Sequence, residues 1–383
     1  MNTSKLFSNS ISKLHNIIPV KGRGSWIKDI YGKNYLDLTS GIGALSTGHT
    51  HPLVINKVTN QIKHIVHPQQ QIFETHPAQM ELTKKLINIM PHKTLTNVFY
   101  TNSGSEATDN AIKIAKRYTK KNNIIALTGG FHGRTIGALS VTSSNLNCKF
   151  NNNGINGVYF CSKPSIESFD QLLEYHTSVD ETAAIILEPV QGEGGIFSID
   201  NTFLKHIQNI CNKHNILLIA DEVQCGSGRT GTWWNVEQKN IKPDILTFGK
   251  GIASGFPIAG IVSTHNIMNN IGKSYLGGTY GGNALVSAAA SATIDIINHE
   301  KLIENCNIIG KLLNYELSKF NDIKIVRQYG LMIGIEFVFS NNPKKVMDIV
   351  NKLRENNILV LLCGNKSQYI RLLPPLNINE REV

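Results

Sequence analysis

No apolar run in the 383-residue chain approaches the ~18 residues that a membrane helix needs, because polar residues interrupt even "GFPIAGIVST" (255–264). A soluble protein without a membrane partner is expected. Cysteine is sparse: the six (Cys148, Cys161, Cys211, Cys225, Cys306, Cys363) lie far apart, with no pair at metal-ligand or redox spacing, which favours a reducing compartment. Acid is missing before Asp29, so residues 1–28 resemble an organelle transit peptide, but they lack the apolar core of a secretory signal. Cytoplasm is the default expectation, with mitochondrial import as the alternative. The densest basic cluster, "KRYTKK" (116–121), also lacks an interleaved aromatic ladder for stacking bases. The chain's net charge of +10 is scattered, and this cluster reads as the polar end of an amphipathic helix. No nucleic-acid partner is expected, and the abundance of Asn, Ile and Lys reads as a compositional bias of the source.

What is present is a globular composition, 41% hydrophobic and 17% charged, at a length that suggests two or so domains. No repeat or low-complexity linker divides the chain. Between about 80 and 265, short β-rich runs, "NVFY" (97–100), "AAIIL" (183–187), "ILLIA" (216–220) and "DILTF" (244–248), alternate with helix-period stretches. In one of these, "FLKHIQNICNKH", Phe203, Ile207, Ile210 and Cys211 share a face and Asn215 is a plausible stop. The alternation predicts an α/β fold with a mostly parallel sheet covered by helices.

Ligands of such sheets gather beyond the carboxyl ends of the strands. There the apolar runs lead into "TNSGSEA", "EPVQGEGG", "DEVQ" and "GKG". In "PDILTFGKGIASGFP" (243–257), Lys250 stands among glycines, where a solvated surface lysine would be ordinary. Ser103, Gly104 and Ser105 open a helix with Ala107, Ala111, Ile114 and Ala115 on its apolar face. They suit a phosphate on the unpaired N–H groups, or an ordinary serine N-cap. Asp221 follows five apolar residues, so its carboxylate needs a partner: a turn it caps, or a protonated pyridine nitrogen. Lysine, phosphate cradle and carboxylate together describe one cofactor, pyridoxal 5'-phosphate, with Lys250 as the Schiff-base lysine.

The motifs "GKNYLDLTSGIGALSTGHTHP", "SGSEATDNAIKIAK", "FHGRT", "EPVQGEGG", "LLIADEVQCGSGRTG", "PDILTFGKGIASGFPIAG", "GGTYGGNA" and "IRLLPPL" run in order along the chain. Through them it resembles the class III pyridoxal-phosphate-dependent aminotransferases. The resemblance implies the fold type I architecture of these transferases: a large domain with a mainly parallel mixed sheet and a smaller α+β domain. The expected limits are residues 1–45 and 285–383 for the small domain and 46–284 for the large one. Relatives continue past "PPLNI" into a further helix, so the C-terminal part is expected to be short.

The resemblance also assigns roles. Lys250 carries the proton between the substrate carbon and the cofactor, and Asp221 keeps the ring nitrogen protonated. Phe131 and Val223 cover the two ring faces, Gln224 bonds the ring hydroxyl, and Gly104 and Ser105 contact the phosphate. His132 is grouped with the cofactor residues in a structural role. Thr279 reaches the phosphate of the neighbouring subunit, which implies a homodimer with shared sites, possible also as part of a tetramer. Arg134 binds the carboxylate far from the reacting amine, Arg371 binds an α-carboxylate, and Glu193 neutralises Arg371 when the substrate has none there. Glu188 supports the network, and Ile42 stands where ornithine aminotransferases carry a tyrosine. The expected partners are an amino donor and 2-oxoglutarate or glutamate, with 4-aminobutyrate the first donor. The alternatives are acetylornithine aminotransferase, ornithine aminotransferase, a pyridoxal-phosphate-dependent aminomutase or decarboxylase, and a non-catalytic protein that binds the cofactor. His49 and His51 in "GHTHP" are read as part of a turn rather than as metal ligands. The glycines at 226–231 are not a nucleotide-phosphate loop, since no Gly-Lys-Ser/Thr ending follows.

Overall fold

In the computed structural model, which describes residues 7–8, 10–144 and 154–383, the alternating region builds a seven-stranded sheet. Cys148 lies outside the described residues. Strands lie side by side in the order Leu95–Thr101, Ala259–Thr264, Ile245–Phe248, Leu217–Asp221, Thr182–Leu187, Asn123–Leu127 and Val158–Cys161. The last five of these run parallel. Ala259–Thr264 is antiparallel to both its neighbours, so the sheet is mixed and mainly parallel. Thr182–Leu187, Leu217–Asp221 and Ile245–Phe248 are buried at every position. Helices on both faces leave no solvent side, which is why these strands read as continuous apolar runs instead of alternating ones.

Local chemistry starts and stops the covering helices. Asp200 accepts from the N–H groups of Thr202 and Phe203 at the start of Asn201–His214. That helix buries Phe203, Leu204, Ile207 and Cys211, and Asn215 ends it in the left-handed conformation, its N–H bonded to Cys211 O. Full burial of each of these large apolar side chains is worth about 1.5–3 kcal/mol. The long helix Gly104–Thr119 opens on a capping box: Ser103 Oγ accepts from Glu106 N, and Glu106 reaches back to the Ser103 N–H.

The two ends of the chain meet. Pro19–Arg23, Trp26–Asp29 and Asn34–Asp37 form one sheet, completed by Ile358–Leu359 in parallel with Asn34–Asp37. An antiparallel sheet of Ile323–Tyr329, Met332–Phe337, Tyr369–Leu372 and Leu361–Cys363 carries Arg371. Among the described residues no helix is long and apolar enough to cross a membrane, and no group of His, Cys, Asp and Glu is placed to hold a metal. His49 and His51 take separate carboxylates, Asp37 at 2.8 Å and Glu300 at 3.1 Å.

Candidate active site

Parallel strands that end at one edge bring their next residues together, and here those residues are polar. Lys250, Asp221 and Glu188 follow or end the strands Ile245–Phe248, Leu217–Asp221 and Thr182–Leu187 and line one cavity of about 150 Å³. Gly104 and Ser105 enter it from the start of the long helix, and Phe131, His132 and Gly133 from the loop after Asn123–Leu127. Val223 and Gln224 complete the wall. Larger clefts lie elsewhere, of about 540 and 480 Å³ beside the antiparallel sheet and of about 270 Å³ beside His92 and Asp244, so chemistry and not size marks out this cavity.

Asp221 is 3% exposed. Its Oδ1 accepts from Val223 N and from Thr247 Oγ1, both at 3.1 Å, and its Oδ2 lies 2.7 Å from His132 Nδ1. Thr247 stands directly opposite Asp221 in the strand register. Burial disfavours the charged His132 imidazole, yet the bond to Asp221 and the charges of Asp221 and Glu188 outweigh it and raise its pKa. Its Nε2 has no partner among the described residues. Glu188 joins two loops by accepting from Phe131 N at 2.8 Å and Gly192 N at 3.0 Å. Burial pushes its carboxyl up to about 7, opposed by His132 and reinforced by Asp221. Burial lowers the Lys250 amine below the usual lysine range; the charge of Glu193 opposes this and that of Arg371 adds to it. Lys250 also holds a left-handed backbone, φ 43°.

Arg371 is almost fully buried, yet it carries a charge and needs partners. It donates to Gln224 Oε1 at 3.0 Å and to Glu193 Oε1 at 2.7 Å, and its Nε has no partner among the described residues. Gln224 thus links the Arg371–Glu193 pair to the cavity it lines.

Other expected site residues stand apart from the cavity. The Ser103 hydroxyl is engaged in the helix cap and does not line it. Ile42, Arg134 and Thr279 are exposed. Arg134 is tethered by its N–H to Ser105 Oγ at 3.1 Å. Ile42 belongs to a left-handed turn in which Ser40, Gly41, Ile42 and Gly43 all have positive φ (40°, 62°, 62° and 76°), a strained conformation for a β-branched residue. This turn and the His132–Asp221 and Thr247–Asp221 bonds were not foreseen. The glycines of "SGIG" are the one local signal for the turn.

The donor set fits pyridoxal phosphate: an amine, a helix start with free N–H groups and the Ser105 hydroxyl for an anion, and a buried carboxylate for a protonated ring nitrogen. Close approach also requires glycine at 104, where a Cβ would come within 2.8 Å of Val223 Cγ1. Fold and site together define a pyridoxal-phosphate enzyme of fold type I.

The profile of the family described as aminotransferase class-III matches residues 7–383. The chain is 36% identical to an acetylornithine aminotransferase of Methanocaldococcus jannaschii over 96% of its own length and 90% of that protein. It is 33% identical to a 4-aminobutyrate aminotransferase of Escherichia coli, over 99% and 94% of the two chains. Its structure is similar to that of an ornithine aminotransferase from Toxoplasma gondii, described with partial occupancy of pyridoxal phosphate at its active site; the TM-score is 0.88 and the identity 27%, over 99% and 90% of the chains. The protein belongs to the class III aminotransferases, pyridoxal-phosphate-dependent enzymes that use an amino donor and a 2-oxo acid.

Proposed function

We propose that the enzyme moves the amino group of an ω-amino acid, 4-aminobutyrate first among them, to 2-oxoglutarate, giving a semialdehyde and glutamate. The Arg371–Glu193 ion pair carries this reading. An ω-amino donor brings no carboxylate to the reacting carbon, and a buried arginine left unpaired there would cost several kcal/mol. Glu193 supplies the missing charge in the donor half-reaction and swings aside when the α-carboxylate of glutamate takes its place. Arg134, exposed beside Ser105, holds the distal carboxylate that the donor and glutamate share.

Bound pyridoxal phosphate supplies the electron sink for bonds at the amine-bearing carbon. Gly104 and Ser105 would hold its phosphate, Phe131 and Val223 would cover its ring and Gln224 would bond its hydroxyl, and all five line the one cavity. Asp221 keeps the proton on the ring nitrogen, with His132 and Thr247 fixing the carboxylate's direction. Burial lowers the pKa of Lys250 Nζ, which favours its role as the base that would carry the proton between the substrate carbon and the cofactor. Glu188 braces Phe131 and the Gly192 turn.

We also propose a homodimer in which Thr279 serves the neighbouring subunit's phosphate. Thr279 and Tyr280 are exposed, and the adjoining Gln69–Phe73 segment, bonded to Gly278, presents Ile72 and Phe73 to solvent at 74% and 57% exposure. Acetylornithine is the second donor reading, supported by the 36% identical archaeal relative. The test is a panel of amino donors offered with 2-oxoglutarate, reading the glutamate formed. Preference for 4-aminobutyrate or another ω-amino acid supports the proposal, and preference for an ordinary α-amino donor overturns it.

A further inference from the structure

The turn that presents Glu193 rests on a seat that none of the roles above uses. It joins the strands Val190–Gln191 and Phe197–Ser198, and its Gly195–Ile196 segment lies against the antiparallel sheet at Gly334. The strand register places Arg327 opposite Gly334 and Gly334 opposite Arg371, so one row across three strands reads arginine, glycine, arginine. Cross-strand partners share a face of a sheet, so both arginines flank the gap left by the glycine. A Cβ on Gly334 would lie 2.9 Å from Ile196 Cβ and 3.1 Å from Gly195 O.

Each arginine grips a different part of the turn. Arg371 pairs with the Glu193 side chain. Arg327 Nε donates to Gly195 O at 2.9 Å, while its guanidinium pairs with Glu336 Oε2 at 2.7 Å. The guanidinium carbon also lies over Phe197 and Tyr369, 4.3 and 4.5 Å from ring centroids that meet each other edge-on. Phe197 follows the turn in sequence, and Tyr369 stands two residues before Arg371 on its strand. Gly364 N holds the Glu193 carbonyl at 2.8 Å. The Glu193 backbone is therefore fastened on both sides, and the freedom left is that of its side chain, 29% exposed against 2% for Arg371.

We propose that Arg327 is a positioning residue for specificity: it clamps the Gly192–Ile196 turn so that the Glu193 carboxylate meets Arg371 when the donor brings no α-carboxylate. A charged fork suits this task, since the ring contacts, the carbonyl bond and the ion pair act together and a lysine has no second donor group to make all three. The proposal rests on the reading of Glu193 as the counter-charge of Arg371 in the ω-amino half-reaction. It adds that the turn stays fixed while the side chain moves.

The test compares Arg327→Met, Glu193→Gln and the double variant as holoenzymes, by hydrogen exchange of the peptide spanning residues 190–198 and by single-turnover rates with 4-aminobutyrate and with glutamate. Arg327→Met is expected to speed exchange in that peptide and to slow the 4-aminobutyrate half-reaction about tenfold, with the glutamate half-reaction changed less than about threefold. In the Glu193→Gln background it should add less than about twofold, because the clamp acts through Glu193. Unchanged exchange in the turn, or rate defects that multiply in the double variant, would overturn the proposal. If Glu193→Gln itself slows both half-reactions equally, the substrate reading fails, and exchange in the turn alone then decides the clamp. Arg327→Lys keeps the charge opposite Glu336 and serves as the second variant should the methionine protein fail to fold; it is expected to show the same selective loss in milder form.

Discussion

Replacing Asp221 by Asn removes one charge and almost no volume from the most constrained group of the site. Asparagine keeps an oxygen that can accept from Val223 N and Thr247 Oγ1, as Oδ1 of Asp221 does at 3.1 Å. On the other side its amide would face His132 Nδ1, which now lies 2.7 Å from Oδ2. A hydrogen bond to a charged group is worth about 1.5–3 kcal/mol, and the buried charge opposite the ring nitrogen about 3–5 kcal/mol when one partner is removed. At 1.36 kcal/mol per factor of ten, the half-reaction should slow at least a hundredfold, to an order of magnitude. Stopped-flow absorbance after mixing holoenzyme with an amino donor reads this rate. Retained cofactor and a cooperative melt control for folding. In the same variant the His132 ring should titrate at lower pH than in wild type, because the Asp221 bond and charge are gone while burial remains, opposed only by the charge of Glu188. A rate within about threefold of wild type would refute the role assigned to Asp221.

Two further outcomes follow from other parts of the molecule. If Thr279 completes a neighbour's phosphate site, dilution to monomers should release pyridoxal phosphate, visible by sedimentation with absorbance detection; a yellow, active monomer would contradict shared sites. Glu222, 1% exposed, accepts from Val236 N at 2.8 Å and from the Cys225 thiol at 3.1 Å, and burial raises its carboxyl to about 7. The folded protein thus holds this proton more tightly than the unfolded chain, so the stabilisation is complete below about 4.5 and is lost as pH rises through about 7. Relative to Glu222→Gln, wild type should lose on the order of 3 kcal/mol between pH 4.5 and 8 in urea unfolding, whereas parallel pH profiles would show that Glu222 carries no such charge cost.

The strands were legible because each is a local run of apolar residues. "AAIIL", "ILLIA", "DILTF" and "NVFY" all fall in or within one residue of strands of the main sheet. Lys250, Asp221 and Gly104 were legible for a related reason: topology sends every parallel strand end to the same edge, so residues just past those ends must meet. Pairings set by long-range register were not. His132 and Asp221 are 89 residues apart, and nothing around Phe131 says that the histidine turns towards the carboxylate. Arg327 reads as one more β-strand cation until the register sets Gly334 between it and Arg371. Ser103 shows the converse, since its hydroxyl satisfies both the capping and the phosphate pattern in sequence, and in the fold its oxygen accepts from Glu106 N at the cap.

Lys250 and the Arg371–Glu193 pair are proposed to serve transfer from an ω-amino donor. Mixing yellow holoenzyme with 4-aminobutyrate, without any acceptor, tests this most directly. The cofactor absorbance should shift in a single turnover and return on addition of 2-oxoglutarate with one equivalent of glutamate formed, whereas Lys250→Ala should form no glutamate. An unaltered spectrum with every ω-amino donor, alongside a full response to an ordinary α-amino acid other than glutamate, would contradict the account.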